Sequence, residues 1–129
     1  MRLGRLRHGV LALAIATAPA EAAADGPAAT VPRAPAAFQA CAACHAVRSG
    51  ATQGIGPNLH GVVGRRAGTL SGYAYSPALR QSGIVWSRPE IERFMQDPSA
   101  AVPGTAMPAG APVSAADRAA ITAYLAALR

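Results

Sequence analysis

Cys41-Ala42-Ala43-Cys44-His45 decides the reading of this chain, because it sets the only two cysteines three residues apart with a histidine directly behind them. On a helix, Cys41 and Cys44 stand at i and i+3 and His45 at i+4, so two thiols and one imidazole share a face. Two cysteines can close a disulfide, and a C-x-x-C pair can act as a dithiol redox centre. The dithiol reading expects a βαβ context, and no such pattern flanks the motif. The adjacent histidine shifts the balance to covalent haem attachment, in which the thiols form thioethers to two vinyl groups and the imidazole reaches the iron.

Composition leaves room for such a group. The 129 residues include twelve cationic side chains, all of them Arg, against six acids, for a formal charge of +6. Half the residues are hydrophobic but only 5% are aromatic, so alanine supplies much of the apolar count. A core built from so few large side chains is thin, and small domains with thin cores usually need a staple, a metal or a cofactor. Residues 1–20 read as a secretory signal: Arg2, Arg5 and Arg7 form a basic start, Val10 to Ala18 an apolar run, and Ala18-Pro19-Ala20 a small-x-small cleavage site. Cleavage as late as residue 24 fits equally. Removal after Ala20 leaves nine Arg against six acids, a charge of +3, and no basic run longer than Arg65-Arg66. Nucleic-acid binding is therefore discarded. An Ala/Pro-rich spacer follows over 21–34, and the folded domain is expected over 35–129.

Capping signals predict three helices. Ser76-Pro77 opens a short one stopped by Gly83. Ser87-Arg88-Pro89-Glu90 combines an N-cap, an early proline and a capping-box Glu, and its helix runs to about Gln96. Ser114 to Asp117 opens the last, with the stripe Ile121, Tyr124, Leu125 and Leu128 and with Arg129 at its negative end. A fourth helix is expected over 35–46, and two irregular stretches over 47–75 and 97–113. Loops that long imply a large ligand serving as their core. Two thioethers remain after signal removal. Met95 lies on the apolar face of a capped helix and reads as packing, whereas Met107, followed by Pro108, is held extended and looks presented. His60 reads as a surface or loop-bonding residue.

These residues resemble the class I cytochromes c, close to the mitochondrial protein and its bacterial periplasmic relatives. The resemblance covers about 36–128. It rests on Cys41 to His45, Gly56 to Gly61, Gly64-Arg65, Gly72 to Ser76, Gly83 to Trp86 and Pro103 to Met107, with 62 residues from His45 to Met107. It implies an all-α cytochrome c fold, with three to five helices and long loops wrapped around one haem c bound through Cys41 and Cys44. His45 is then the proximal ligand and Met107 the distal one. The Pro57 carbonyl accepts the other ring N–H of His45, and Thr105 helps to hold the methionine loop. Tyr75 and Trp86 hydrogen-bond a buried propionate whose charge Arg65 offsets, and Phe38 meets Tyr124 and Leu125.

The chain departs from that family at several points. Leu79 and Phe94 replace a frequent asparagine and tyrosine, which implies a drier distal side. No aromatic follows Met107 closely. Ala34, Ala36 or Ala37 stands in for a glycine where the terminal helices meet. The lysine ring of the mitochondrial type is absent, its positions including Ala40, Ser99, Ala100, Ala106, Val113 and Ser114, so docking is expected to rely on an apolar patch.

The resemblance implies a monomeric, periplasmic one-electron carrier, not an enzyme, cycling Fe(II)/Fe(III) in a respiratory or photosynthetic chain. Its partners would be a quinol-cytochrome c oxidoreductase, terminal oxidase, reductase or reaction centre, with no nucleic acid and no stable membrane insertion. The rival readings are a haem-based catalytic or gas-binding module with a labile sixth ligand and a fixed relay subunit of a larger complex. Nothing resembling a distal acid–base pair accompanies Met107.

Overall fold

The computed structural model describes residues 32–108 and 113–129. The expected signal over 1–20, and the spacer before Pro32, lie outside the described residues. A 3-10 turn (Ala36–Phe38) runs into α1 (Gln39–Ala42), followed by α2 (Pro77–Gln81), α3 (Arg88–Gln96), α4 (Pro98–Ala101) and α5 (Ala115–Ala127). Among the described residues no strand forms, only an isolated antiparallel bridge between Arg66 and Val85.

Side-chain caps explain most boundaries. Ser76 Oγ accepts the Leu79 N–H at 3.3 Å, Pro77 supplies the first position of α2, and the chain leaves through Gly83 at φ +72°. Such a φ costs glycine nothing and strains most other residues. Ser87 Oγ likewise accepts the Glu90 N–H at the start of α3. The expected reciprocal bond from Glu90 does not form: its carboxylate takes Arg93 at 2.6 Å instead, an exposed pair worth little. The full capping box is built at α5, where Ser114 Oγ accepts the Asp117 N–H at 3.0 Å and Asp117 accepts the Ser114 N–H at 3.3 Å.

Two sequence expectations need correction. The first helix does not reach residue 46. Regular α1 stops at Ala42, and one further turn closes as the Cys44 and His45 N–H groups both donate to the Cys41 carbonyl, at 3.0 and 2.9 Å. Beyond it the Cys44 and Ala46 carbonyls are taken by the N–H groups of Gly56 and Leu59, each at 2.8 Å, so the incoming loop replaces the next helical turn. The stretch 97–113 is not wholly irregular either. Asp97 Oδ1 accepts the Ala100 N–H at 2.9 Å and Pro98 takes the first position of α4, an Asp-Pro start signal hidden in a Gly/Pro-rich setting.

The core sits where α3 packs on α5 and the N-terminal turn lies against α5. Phe38 meets Tyr124 edge-on with centroids 5.1 Å apart, and Trp86 meets Phe94 at the same distance. Ala34 and Ala37 pack against this core, while Ala36 is exposed. Thr122, fully buried on α5, shares its hydroxyl proton between Glu92 Oε1 on α3 at 2.9 Å and the Ala119 carbonyl at 3.0 Å. Helix α2 packs Ala78 and Leu79 against this core, but among the described residues its backbone stays clear of the other helices. It is held by loops, which together with α3 and α5 surround a cavity.

Candidate functional site

That cavity, of about 280 Å³, is lined by Cys41, Cys44, His45, Pro57, Arg65, Tyr75, Trp86, Thr105 and Met107. All nine residues singled out in the sequence therefore converge on one space, although they span 67 positions of chain from Cys41 to Met107. His60 is not in the lining, and its backbone is engaged in the loop through Asn58 Oδ1 at 2.9 Å and Arg65 at 3.3 Å.

The final turn of the first helix carries the thiols and the imidazole. Cys41 and Cys44 are both half-buried and not joined to each other. Burial pushes the Cys41 thiol up, and neighbouring Cys44 adds to the shift, so Cys41 stays protonated at neutral pH. His45 Nδ1 lies 2.8 Å from the Pro57 carbonyl. A carbonyl can only accept, so the network assigns the proton to Nδ1 and leaves the Nε2 lone pair free. Gly56 is the platform beneath the ring: a Cβ there would lie 2.6 Å from Nδ1 and 2.8 Å from Nε2. Gly56→Ala is expected to force the imidazole off its carbonyl and cost about 1–3 kcal/mol, the usual range for overpacking; urea unfolding of the mature protein measures it. Sequence reasoning quoted Gly56 without giving it this role. A glycine directly before a functional proline was the available signal, since glycine often marks close approach.

The opposite wall is delivered without a helix. Met107 stands in the irregular segment after α4, its N–H donating to Thr105 Oγ1 at 3.4 Å. Met95, on α3, packs against the core as expected and also borders the cavity. Leu79 and Phe94 both line the cavity, so hydrocarbon stands where the resemblance places an amide and a phenol. The departure after Met107, the lack of an aromatic over Pro108-Ala109-Gly110, falls at Ala109 and Gly110 outside the described residues.

A polar corner completes the lining. Arg65 donates to the Asn58 carbonyl at 2.9 Å as well as to His60, which fixes its guanidinium. Burial lowers its pKa, with Tyr75 acting in the opposite sense. Tyr75 is buried beside it, and desolvation raises its pKa while the Arg65 cation and the Leu70 amide pull it down. Its hydroxyl therefore remains a neutral donor at pH 7. Trp86 brings an indole N–H to the same cavity.

Among the described residues no cluster of three or more His, Cys, Asp or Glu side chains is placed to hold a metal by itself. A metal here must bring most of its own ligands. The donor set fits that requirement: two thiols for covalent links, one imidazole with a fixed tautomer, one thioether, a largely apolar wall, and a corner of three N–H or O–H donors for an anionic edge. These residues fit a covalently attached iron macrocycle.

Comparison with known proteins agrees. The family model described as Cytochrome c matches residues 31–129. A cytochrome c2 iso-2 of Magnetospirillum fulvum is 43% identical over 95 residues, covering 74% of this chain and 98% of that protein. A cytochrome c2 of Rhodoblastus acidophilus is 43% identical over 88 residues, 68% of this chain and 82% of that protein. The solved structure of cytochrome cH from Methylobacterium extorquens superposes with a TM-score of 0.64 at 40% identity, covering 70% of this chain and 90% of that one. The chain belongs to the cytochrome c family, as an all-α electron-transfer protein and not an enzyme, with haem c attached covalently through Cys41 and Cys44.

Proposed function

We propose that the chain is an exported, periplasmic one-electron carrier that diffuses between membrane-bound or periplasmic redox enzymes of a respiratory or photosynthetic chain. The observation that carries this reading is that His45 and Met107 line one cavity, His45 with its Nδ1 engaged by Pro57 and Nε2 left free. His45 and Met107 would hold the iron between them and leave it no open position for a substrate. Bound haem c supplies an iron that accepts and releases one electron.

The protein's residues do the rest. The Cys41 and Cys44 thiols would hold the group through two thioether links. Pro57 holds the His45 ring in one orientation, which raises the donor strength of Nε2. Met107 offers a soft sulfur without an ionisable proton, and Thr105 restrains its backbone. Tyr75 and Trp86 donate to an anionic edge group and Arg65 neutralises it in place. The apolar wall at Leu79 and Phe94 keeps water from the methionine side. Among the described residues no helix is long and apolar enough to cross a membrane.

Absorption spectra of the exported protein, oxidised and reduced, test the reading. A low-spin ferric spectrum with a methionine-to-iron charge-transfer band supports the carrier, and a high-spin spectrum favours the catalytic or gas-binding rival. Co-migration with a larger complex on gel filtration of native extract would instead identify a fixed relay subunit. Docking gives a further expectation. Ala40, Ser99, Ala100, Ala106 and Ser114 are exposed and uncharged, and Ile55 at the cavity edge is 81% exposed. Electron-transfer rates to an isolated partner should stay within about threefold across ionic strength, unlike the steep fall of charge-steered pairs. A steep fall would place the steering on Arg48, Arg65 and Arg66.

A further inference from the structure

Helices α3 and α5 frame the cavity together. Ile91, Phe94 and Met95 line it from α3, and Ile121 and Leu125 from α5. Among the described residues no backbone hydrogen bond joins the two helices, and a single side-chain bond does: Thr122 Oγ1 donates to Glu92 Oε1 at 2.9 Å. Each partner directly follows a cavity-lining isoleucine, Glu92 after Ile91 and Thr122 after Ile121. One step along a helix turns the side chain by about 100°. The bond therefore lies beside the two wall residues and outside the cavity lining.

Neither group needs the other for its own satisfaction. The Thr122 hydroxyl is fully buried and already reaches the Ala119 carbonyl, one turn back, at 3.0 Å. That local bond is enough to pair its one proton. Valine would fill the same space without burying a hydroxyl at all. Glu92 is half-buried and has no cationic partner, since the one ion pair among the described residues joins Glu90 to Arg93. What the pair supplies is a directional tie between two helices, with a carboxylate acceptor and so stronger than a neutral bond.

The chain leads from this tie to the methionine. Asp97 is at once the C-cap of α3 and the N-cap of α4, and α4 ends on the buried Val102. The Thr105 N–H donates to the Val102 carbonyl at 3.0 Å, two residues before Met107. Lifting α3 from α5 would draw this segment with it and part the wall at Phe94 and Met95.

We propose that the Thr122–Glu92 hydrogen bond latches the α3 wall of the cavity onto α5 and thereby keeps Met107 seated, so that small ligands are excluded from the methionine side. Thr122 and Glu92 are positioning residues, which act through Ile91 and Ile121. The latch rests on Met107 being the distal ligand.

The test uses mature, haem-loaded protein. In the oxidised state, loss of the methionine-to-iron charge-transfer band follows the entry of added imidazole in place of Met107. NMR reads amide exchange at Phe94 and Met95, and urea unfolding reads global stability. Glu92→Ala decides most, because the Thr122 hydroxyl keeps the Ala119 carbonyl and no buried group is orphaned. Its unfolding midpoint should stay near that of the wild type. Imidazole entry and both amide exchanges should nevertheless speed up about tenfold, the scale of one lost hydrogen bond to a charged group. Thr122→Val should give the same acceleration, and Thr122→Ser should keep the wild-type rates. The Thr122→Val/Glu92→Ala double variant should be no faster than either alone, because both remove one bond. Phe38→Leu, which loosens the N-terminal turn against Tyr124 instead, should lower the midpoint without speeding imidazole entry. Unchanged entry in Glu92→Ala, equal acceleration in Thr122→Ser, or the same acceleration in Phe38→Leu overturns the latch. Oxidised wild type without the charge-transfer band overturns the ligation reading separately, and amide exchange at Phe94 and Met95 then decides the latch alone.

Discussion

Changing both Cys41 and Cys44 to alanine is expected to abolish covalent haem attachment and to leave a chain without a cooperative unfolding transition. The reason lies in how little the helices hold one another. Helix α2 contributes only the half-buried Ala78 and Leu79 to the packed core, which is otherwise built by α3, α5, the N-terminal turn and loop residues such as Val62, Ala67 and Trp86. The remaining loops close around a cavity of about 280 Å³. Without the haem the apolar walls of that cavity face water and the loops lose the group they pack against, a loss that the marginal stability of a small domain does not cover. Exposed long loops and half-buried apolar walls would then be substrates for proteases. Extraction of the denatured protein with acidified organic solvent checks the first part, since wild-type colour stays with the polypeptide. Circular dichroism on heating checks the second. Cys41→Ala alone keeps one link and should retain both colour and a transition, at lowered midpoint. A double variant that melts cooperatively without bound haem would mean that the loops carry a core of their own.

How far the sequence could be read follows from the range of the interactions. Ser76, Ser87 and Ser114 cap helices within three residues of themselves, so α2, α3 and α5 were legible with their starts. Phe38 against Tyr124 followed from the family resemblance, as did the convergence of Pro57 on His45 across twelve residues. The end of α1 was not legible, because the carbonyls of Cys44 and Ala46 are claimed by Gly56 and Leu59, donors from a later loop. Glu90 had two local partners within reach and chose Arg93, a competition that propensity alone does not decide. The bonds of Gln53 Nε2 to the Ser71 carbonyl and of the Tyr73 hydroxyl to the Ile55 carbonyl were not legible either, because each joins a side chain to a backbone carbonyl eighteen residues away, which no pattern of side chains announces.

Met107→Ala is expected to remove the thioether charge-transfer signature, convert the oxidised protein towards high spin and lower the reduction potential by on the order of 0.1 V or more, within the ~0.8 V that axial ligands span. Met95→Leu should do none of these. Both sulfurs border the same cavity, so the contrast is a question of delivery and not of proximity alone. Met95 is one face of α3 together with Ile91 and Phe94, packed against the core, and its backbone cannot advance towards the iron without lifting that helix off α5. Met107 also packs against the core, but its backbone belongs to no helix. Its segment follows Pro103, is restrained by Thr105 Oγ1 at 3.4 Å and ends against Pro108, whose ring biases Met107 away from helical geometry. The segment thus presents a side chain into the cavity while its backbone stays at the surface. A soft sulfur favours the reduced ion, so its loss lets water or hydroxide stabilise the oxidised one, and the potential falls. Leucine at 95 preserves volume and should cost less than about 1.5 kcal/mol. Spectra and potentiometry of the two variants settle the assignment: a charge-transfer band that survives Met107→Ala but vanishes in Met95→Leu would move the distal ligand onto α3 and require the helix to shift on haem binding.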